Sequence, residues 1–510
     1  MENSYERIPQ EMFEFVQTDA RIHDKKFETK ARGYLADAFI RFKKNKSSVV
    51  AGIIIVCLII FAIVAPIISP YSVYDKDKIF VNYPPFIEEV ANANIGLFDG
   101  GVTYDSQNET QILLFRAIAE ETGRNPLLGI LNTYEKETIK RGQTVIVKTY
   151  KVKVNKYYTL GMKYMTLSYD EFERIQEYQN ETGIQVIYPY VDSKDIEGIT
   201  DNPNIWYKVS DAKGTPKLDS DGNFIRAYST NASKAGAEYN SIRIDGDDGS
   251  YIYSTAKSGA VQCRVDYYNY YKYINGHAPV FIFGTNSIGQ DLFCAIGIGA
   301  RFSLIFAILV SAINLTIGAV YGAIQGYYGG AVDLVLDRIA DILYEIPFIV
   351  VSTLFQLHLA PKVGVVPSFL FAFVLTGWIG MAALTRKQFY RFKGQEYILA
   401  AKTLGARDSR IMFKHIFPNA LGTIITSCVL VIPGVIGSET TLTYLGIVNL
   451  SDFAGTSIGT LMAQGQAAMT TSPHAMFFPA LFVSLLLITF NLFGNGLRDA
   501  FNPSTRGVED

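Results

Sequence analysis

The chain has 510 residues, a formal net charge of −2 and four cysteines, and 49% of it is hydrophobic. That is apolar for a soluble protein and mild for one lying wholly in a membrane, so the composition predicts spans together with a sizeable aqueous part. The charge argues neither for nor against nucleic acid, and with Cys57 and Cys428 inside apolar runs no disulfide framework is implied.

The N-terminus, "MENSYERIPQEMFEF", lacks the short basic-then-apolar pattern of a cleaved signal. Residues 1–46 read as a cytoplasmic segment with an amphipathic helix leading into the first span. Lys30, Arg32, Arg41, Lys43, Lys44 and Lys46 precede that span, opposed only by Asp37, which places this end in the cytoplasm. The span itself, Val49 to Ile68 within a segment 47–71, is long enough to be a retained anchor.

Residues 72–283 then read as an α+β domain inserted on the outside. "TVIVKTYKVKV" and "IQVIYPYV" have strand patterns, and "LDSDGNFIRAY" and "IRIDGDDGSYIY" read as hairpins turning on Asp-Gly. "SYDEFERIQEYQNETG" reads as a helix capped by Ser168 and stopped by Gly183. "DSDGN", from Asp219, has the look of a calcium loop, but its glycine comes too early and no glutamate closes it, so a plain turn is expected. Tyrosine is dense here, as in "VDYYNYYKYING", which points to an interaction surface.

Residues 284–506 hold five further apolar runs: Ser303 to Ile324, Val332 to Leu357, Val366 to Leu384, Leu421 to Leu445 and Ala475 to Phe493. Alternation leaves Thr385 to Ala420 inside, and the basic residues Arg386, Lys387, Arg391, Lys393, Lys402, Arg407, Arg410 and Lys414 of that loop agree. The C-terminal tail ends inside too. Asp333, Asp337, Asp341 and Glu345 recur at i, i+4 in the third run. Asp333 and Asp337 read as interfacial; Asp341, whose alternative is a pair with Arg338 at i, i+3, and Glu345, just before Pro347, read as candidate pathway or inter-helix residues. Glu439 is similarly deep, near Pro433, Gly434 and Gly437, which can interrupt a helix and open a cavity.

One segment interrupts this apolar half: "EYILAAKTLGARDSRIMFKHIFPNAL", Glu396 to Leu421, within a cytoplasmic loop 386–420. Ala400 and Ala401 are followed by Gly405 four positions after the second alanine, and by Pro418 thirteen beyond that. Small residues let a short helix lie deep in a partner's groove, glycine lets the chain turn out of it, and basic flanks can pair with acidic groups. The spacing resembles the Glu-Ala-Ala loop of ABC importer permeases, in the variant of the C-type permease subunit of oligopeptide and dipeptide importers. Leu399 stands where that loop's glutamate would be, with Glu396 three residues earlier. "FGTNSIGQDLF", "GARFSL", "GYYGGAVDLVLDRIADIL", "GLRDAFNP" and "RFKKNKSSVVAGIIIV" resemble the same family in order, over about residues 36–75 and 283–506.

The resemblance implies an all-α polytopic membrane protein of the bacterial cell membrane. It implies the six transmembrane helices of the ABC type I importer permease fold, with the α+β domain as an extracellular insertion the family pattern does not cover. It implies an oligopeptide importer subunit that binds no cofactor and catalyses nothing. Its partners would be a second homologous permease, two ATPase subunits that hold ATP and Mg, an extracellular peptide-binding protein, the oligopeptide and membrane lipid, but no nucleic acid. The docking residues carried over are Glu396, Ala400, Ala401, Gly405, Arg407, His415 and Pro418. The alternatives are a permease for dipeptides, nickel or another small solute, a mechanotransmitting ABC membrane subunit, and a receptor or enzyme on a membrane anchor. No G-x-x-x-x-G-K-[ST] loop, no His/Cys cluster with metal-ligand spacing and no nucleophile constellation occurs in the sequence.

Overall fold

The computed structural model describes residues 34–93, 96–140, 143–188, 202–227, 243–245, 251–253, 260–450 and 456–501. Lys30, Arg32, the end of "IQVIYPYV", the Asp-Gly turn of "IRIDGDDGSYIY" and the Asn-Pro after Phe501 lie outside those residues.

The amphipathic helix α1 (Tyr34–Lys44) leads directly into α2 (Lys46–Ile68). Asn45 makes the joint: its side chain accepts from the Ser48 amide at 3.3 Å and so caps α2. Phe42 sets its ring edge-on to Phe493, which fixes α1 against the last helix of the chain.

The inserted region follows. It contains α3 (Glu88–Asn92), β1 (Gly101–Gln107), α4 (Glu109–Thr122), β2 (Leu127–Lys140), β3 (Gln143–Asn155) and β4 (Met162–Ser168). Then come α5 (Tyr169–Thr182), β5 (Ile187–Tyr188), β6 (Arg243–Asp245), β7 (Tyr251–Tyr253), β8 (Ala260–Asp266) and α6 (Tyr267–Asn275). One antiparallel sheet has the order β1-β3-β2, a second β4-β8-β5, and β6 pairs with β7. Phe115 of α4 packs on Val152 and Val154 of the first sheet; Phe172 and Ile175 of α5 pack on Val261, Cys263 and Val265 of the second. The α5 helix forms as its sequence predicts. Ser168 accepts from the Glu171 amide at 3.2 Å, and Gly183 ends the helix at φ 70°. Leu218 and Phe224 bridge across the "LDSDGN" turn, where Asp219 accepts from the amides of Asp221 and Asn223 at 2.9 Å, an Asx turn and no calcium loop.

Two ion pairs, largely shielded from solvent, lock the end of α4 and the turn after it to β8. Arg264 grips Glu121 with both terminal nitrogens, and Arg124 pairs with Asp266. Because each charge is largely shielded, removing any one partner would strand the other. The dense tyrosines are also largely internal. Tyr83, Tyr157, Tyr268 and Tyr271 are buried with Phe80, Phe86 and Phe281 in one aromatic cluster. The expectation that they form an interaction surface is corrected: their area stabilises this region itself.

The membrane half comprises α7 (Leu292–Tyr328), α8 (Gly330–Tyr344), α9 (Phe348–His358), α10 (Ala360–Val363), α11 (Val365–Gly377) and α12 (Ile379–Lys393). It continues with α13 (Glu396–Thr403), α14 (Asp408–Tyr444), α15 (Ile458–Ala467) and α16 (His474–Phe501). Among the described residues, five helical segments are long and apolar enough to cross a membrane: α2, α7, α11 with α12, α14 and α16. The sixth expected span, Val332 to Leu357, is not one helix. It breaks at Glu345 to Pro347 into α8 and α9, because proline has no N–H to donate and disfavours a helical residue before it. Pro433 has the opposite outcome. It lies inside α14, which runs on through Gly434 and Gly437, so the expected interruption there is absent.

The tightest helix contact runs between α7 and α12. Gly318, Gly322 and Gly326 recur every fourth residue on one face of α7. A Cβ at Gly322 would lie 2.1 Å from the Ala382 carbonyl oxygen, and one at Gly326 2.5 Å from Phe389 Cβ. Only glycine lets the two backbones approach so closely.

Candidate functional site

The segment singled out in the sequence lies at the end of α12. Gly394 closes that helix, and α13 begins at Glu396. Its far end is a Schellman cap: the Ala406 amide donates to Ala401 O at 3.1 Å, the Gly405 amide to Lys402 O at 3.0 Å, and Gly405 sits at φ 78°. The chain then turns directly into α14. Its second turn, Ile411–Ile416, is a π-helix, followed by Phe417 and Pro418.

Three anchors hold this short helix. Ile398 is buried among Phe389, Ile411, Ile416 and Ala323. The Tyr327 hydroxyl, at the end of α7, donates to Asp408 Oδ1 at 2.6 Å. Lys393 Nζ donates to Gly326 O at 3.0 Å. A fourth tie lies beside them, where Arg386 donates to Asp337 Oδ1 at 2.8 Å and to Asp333 Oδ2 at 2.6 Å, and the Tyr390 hydroxyl donates to the same Asp333 oxygen. The ends of α7, α8, α12, α13 and α14 thus form one hydrogen-bonded frame.

The outer side of this frame is apolar and bare. Leu404 is 88% exposed, and Tyr397, Leu399 and Phe413 are exposed beside it. Lys402, Arg407, Arg410 and Lys414 of the same segment are also exposed. A leucine fixed by a helix cap and left in water is a feature that needs a partner. Of the residues predicted from the sequence, Glu396, Ala400, Gly405, Arg407 and Pro418 are exposed here, with Ala401 and His415 half-buried. No atom lies within 4 Å of a Cβ built at Gly405, so backbone conformation alone demands glycine there.

The deep carboxylates divide. Glu439 is fully buried, and Ser303 Oγ donates to its Oε2 at 2.7 Å, tying α14 to α7. Its Oε1 has no hydrogen-bond partner among the described residues. It is an inter-helix residue, held between α14 and α7. Asp341 is exposed and pairs with Arg338 one turn back at 3.0 Å, with no contact to another helix in that bond. Glu345 ends α8 at the break and is exposed, and its carboxylate has no partner among the described residues. The helix that would have carried it into the membrane stops one residue earlier. Sequence reasoning missed Leu404 and Phe413 as surface residues because apolar residues at helical spacing read as buried. It also missed the Gly318, Gly322, Gly326 repeat, although that spacing is legible.

Residues 289–507 match the family described as "Binding-protein-dependent transport system inner membrane component", and residues 33–85 match the "N-terminal TM domain of oligopeptide transport permease C". The oligopeptide transport system permease protein OppC of Bacillus subtilis (strain 168) is 40% identical over 224 residues, which cover 44% of this chain and 72% of that protein. The chain belongs to this permease family. The dipeptide transport system permease protein DppC of the same organism is 38% identical, over 44% of this chain and 69% of that protein. OppC of Haemophilus influenzae is 37% identical, over 44% and 70%. The inward-facing MetNI methionine ABC transporter aligns with 41% of this chain and 96% of that chain at 15% identity and a TM-score of 0.34, too low to bear on the fold. The permease is a multi-pass membrane protein and an importer's membrane component that works with other subunits. It is not itself an enzyme. The two family matches leave residues 86–288 uncovered, and nearly all of the inserted region lies there.

Proposed function

We propose that this permease is the C-type subunit of an ATP-driven oligopeptide importer and forms half of its translocation path beside a second, homologous permease. Two ATPase subunits, which hold ATP and Mg, dock on the segment from Glu396 to Pro418. The observation that carries this reading is Leu404, an almost fully exposed leucine on a rigidly capped helix, in a segment whose basic side chains Lys402, Arg407, Arg410 and Lys414 are also exposed. An apolar plug in a basic segment fits a groove with apolar walls and acidic edges. The frame that anchors α13 to α7, α8 and α12 lets a push on α13 move those helices together.

In this reading the N- and C-termini and residues 386–420 face the cytoplasm, and residues 72–283 lie outside. The broken pair α8 and α9 supplies the sixth crossing, interrupted at Pro347. The inserted region then stands at the outer mouth, where an extracellular peptide-binding protein delivers substrate, and we assign it contact with that protein. Its support is its attachment. Thr285 accepts from the Tyr83 amide at 2.8 Å, Ser472 Oγ donates to Asn82 O at 3.2 Å, and Gln290 Nε2 donates to Val73 O at 2.5 Å.

The test is uptake by the reconstituted complex. Ala401→Glu should leave membrane levels and assembly of the two permeases unchanged, while abolishing uptake and substrate-stimulated ATP hydrolysis. Normal uptake in that variant defeats the docking assignment. Competition between labelled di-, tri- and pentapeptides decides between oligopeptide and dipeptide substrates. For orientation, a cysteine at Thr215 should react with an impermeant thiol reagent on intact cells, and one at Ser409 only after permeabilisation.

A further inference from the structure

Between the outer ends of α2 and α7 lies a cavity of about 440 Å³ that peptide transport leaves without a role. Pro66 stands on the α2 wall and Ile298 and Arg301 on the α7 wall, and the chain leaving α2, with Tyr71, Ser72 and Tyr74, forms the rim. Arg301 is the one charged residue of the lining; no carboxylate shares it. Its guanidinium makes one hydrogen bond, from Nη2 to the Ile63 carbonyl at 3.2 Å, and no carboxylate pairs with it among the described residues. Pro66 explains why α2 is polar at this level: lacking an N–H, it leaves the Ala62 carbonyl without its helical donor, next to the carbonyl Arg301 uses. The rest of the guanidinium fork points to no protein acceptor.

The surroundings say what fills the space. Arg301 stands two residues before the start of the apolar run Ser303 to Ile324, at the level where a membrane passes from head groups to hydrocarbon. The two tyrosines on the rim suit that interface. Below the cavity, α2 exposes Ile60, Ile63 and Ile67, and α7 exposes Ile305 and Ile308, so an apolar surface runs down from it into the hydrocarbon. A cation without a protein partner above such a surface fits a molecule with an anionic head and apolar tails. We propose that this cavity holds the phosphate of a phospholipid, with its acyl chains along α2 and α7. The guanidinium fork takes two phosphate oxygens, and Ser72 and Tyr74 line the same cavity.

The test uses the complete transporter, purified, stripped of lipid and exchanged into a lipid-free detergent. Phosphatidylglycerol is added and the bound lipid counted by native mass spectrometry. Phosphatidylglycerol should bind with defined stoichiometry, and Arg301→Gln should weaken that binding about five- to tenfold, the effect of one cation at a membrane surface. Arg301→Lys keeps the charge without the fork and should fall between. Diacylglycerol, which lacks the phosphate, and glycerol 3-phosphate, which lacks the tails, should fail to displace the lipid. Equal lipid affinity in Arg301→Gln overturns the proposal. So does displacement by glycerol 3-phosphate at concentrations matching the lipid, which would make this a site for soluble anions. Loss of the second permease subunit from Arg301→Gln with lipid retention unchanged also overturns it, because Arg301 would then serve a protein partner.

Discussion

The two ends of α7 are built on opposite plans. In the segment that leads into its first residues the protein completes itself. Thr285 accepts from the Tyr83 amide, Asn286 donates to Gln464 at 3.0 Å, Gln290 reaches Val73, and the His474 ring lies 3.2 Å from Thr285 O. Thr285, Asn286 and Gln290 are all buried. At its last residues the permease completes only half of the contact. Ile398 and the Tyr327–Asp408 bond anchor α13 from within, while Leu404, Leu399 and Phe413 stay in water. In the proposed reading a rigid attachment and a docking surface share one helix. What separates them is whether the chain itself supplies the second set of partners.

The largest expected effect breaks the Tyr328 end alone. Leu404→Asp places a charge where an apolar groove should close, and uptake should fall at least about tenfold, the scale of a hot-spot residue of about 2 kcal/mol or more. The thermal midpoint of the purified permease should not move, because Leu404 touches almost nothing within the chain. A drop in that midpoint would mean Leu404 is part of the fold and the contrast between the ends is false. The shaft between the ends comes next. Gly322→Val drives a side chain into the Ala382 carbonyl, and overpacking of this kind costs about 1–3 kcal/mol; reduced membrane levels and a lower melting temperature should report it.

Smaller effects sharpen the Leu292 end. Thr285→Val removes the acceptor of the Tyr83 amide and leaves it buried and unpaired, at a cost of about 1–3 kcal/mol. Faster hydrogen exchange around Phe80 to Tyr83, with basal ATP hydrolysis unchanged, is the expected signature; equal exchange would show that the foot is held elsewhere. Tyr327→Phe deletes one hydrogen bond to a charged group, worth about 1.5–3 kcal/mol at most and less at this exposed site. It should lower transport modestly by loosening α13, without preventing ATPase assembly. The smallest effect is one of acidity. Backbone amides of the Asp219 turn, and the Thr215 amide and hydroxyl beside Asp211, hold both carboxyls below their ordinary range. Their contribution is therefore present above the unfolded value and lost as pH falls through the folded one. The Asp219 turn should keep its exchange protection at neutral pH and fray only below about pH 4.

Much of this was legible in the sequence. Hydrophobic runs of span length, the asymmetric placement of lysine and arginine and the Ser168 and Gly183 helix signals are local, and physical rules act on them locally. The Ala-Ala, Gly, Pro spacing located the cap at Gly405 for the same reason, since a Schellman turn is closed by residues within one turn of each other. Tertiary structure decided what depends on residues far apart in the chain. Whether Leu404 is buried or bare depends on what Ile398 and Asp408 find on α7. Whether tyrosines face out or in depends on Phe80 and Phe281, some 200 residues apart. Two prolines of identical chemistry, Pro347 and Pro433, end one helix and leave the other continuous, because α14 is packed against α7, α12 and α16 while the break after α8 lies exposed. A single residue's propensity is a fraction of the energy of the packing around it, so sequence fixes the elements and long-range contacts choose which faces they show.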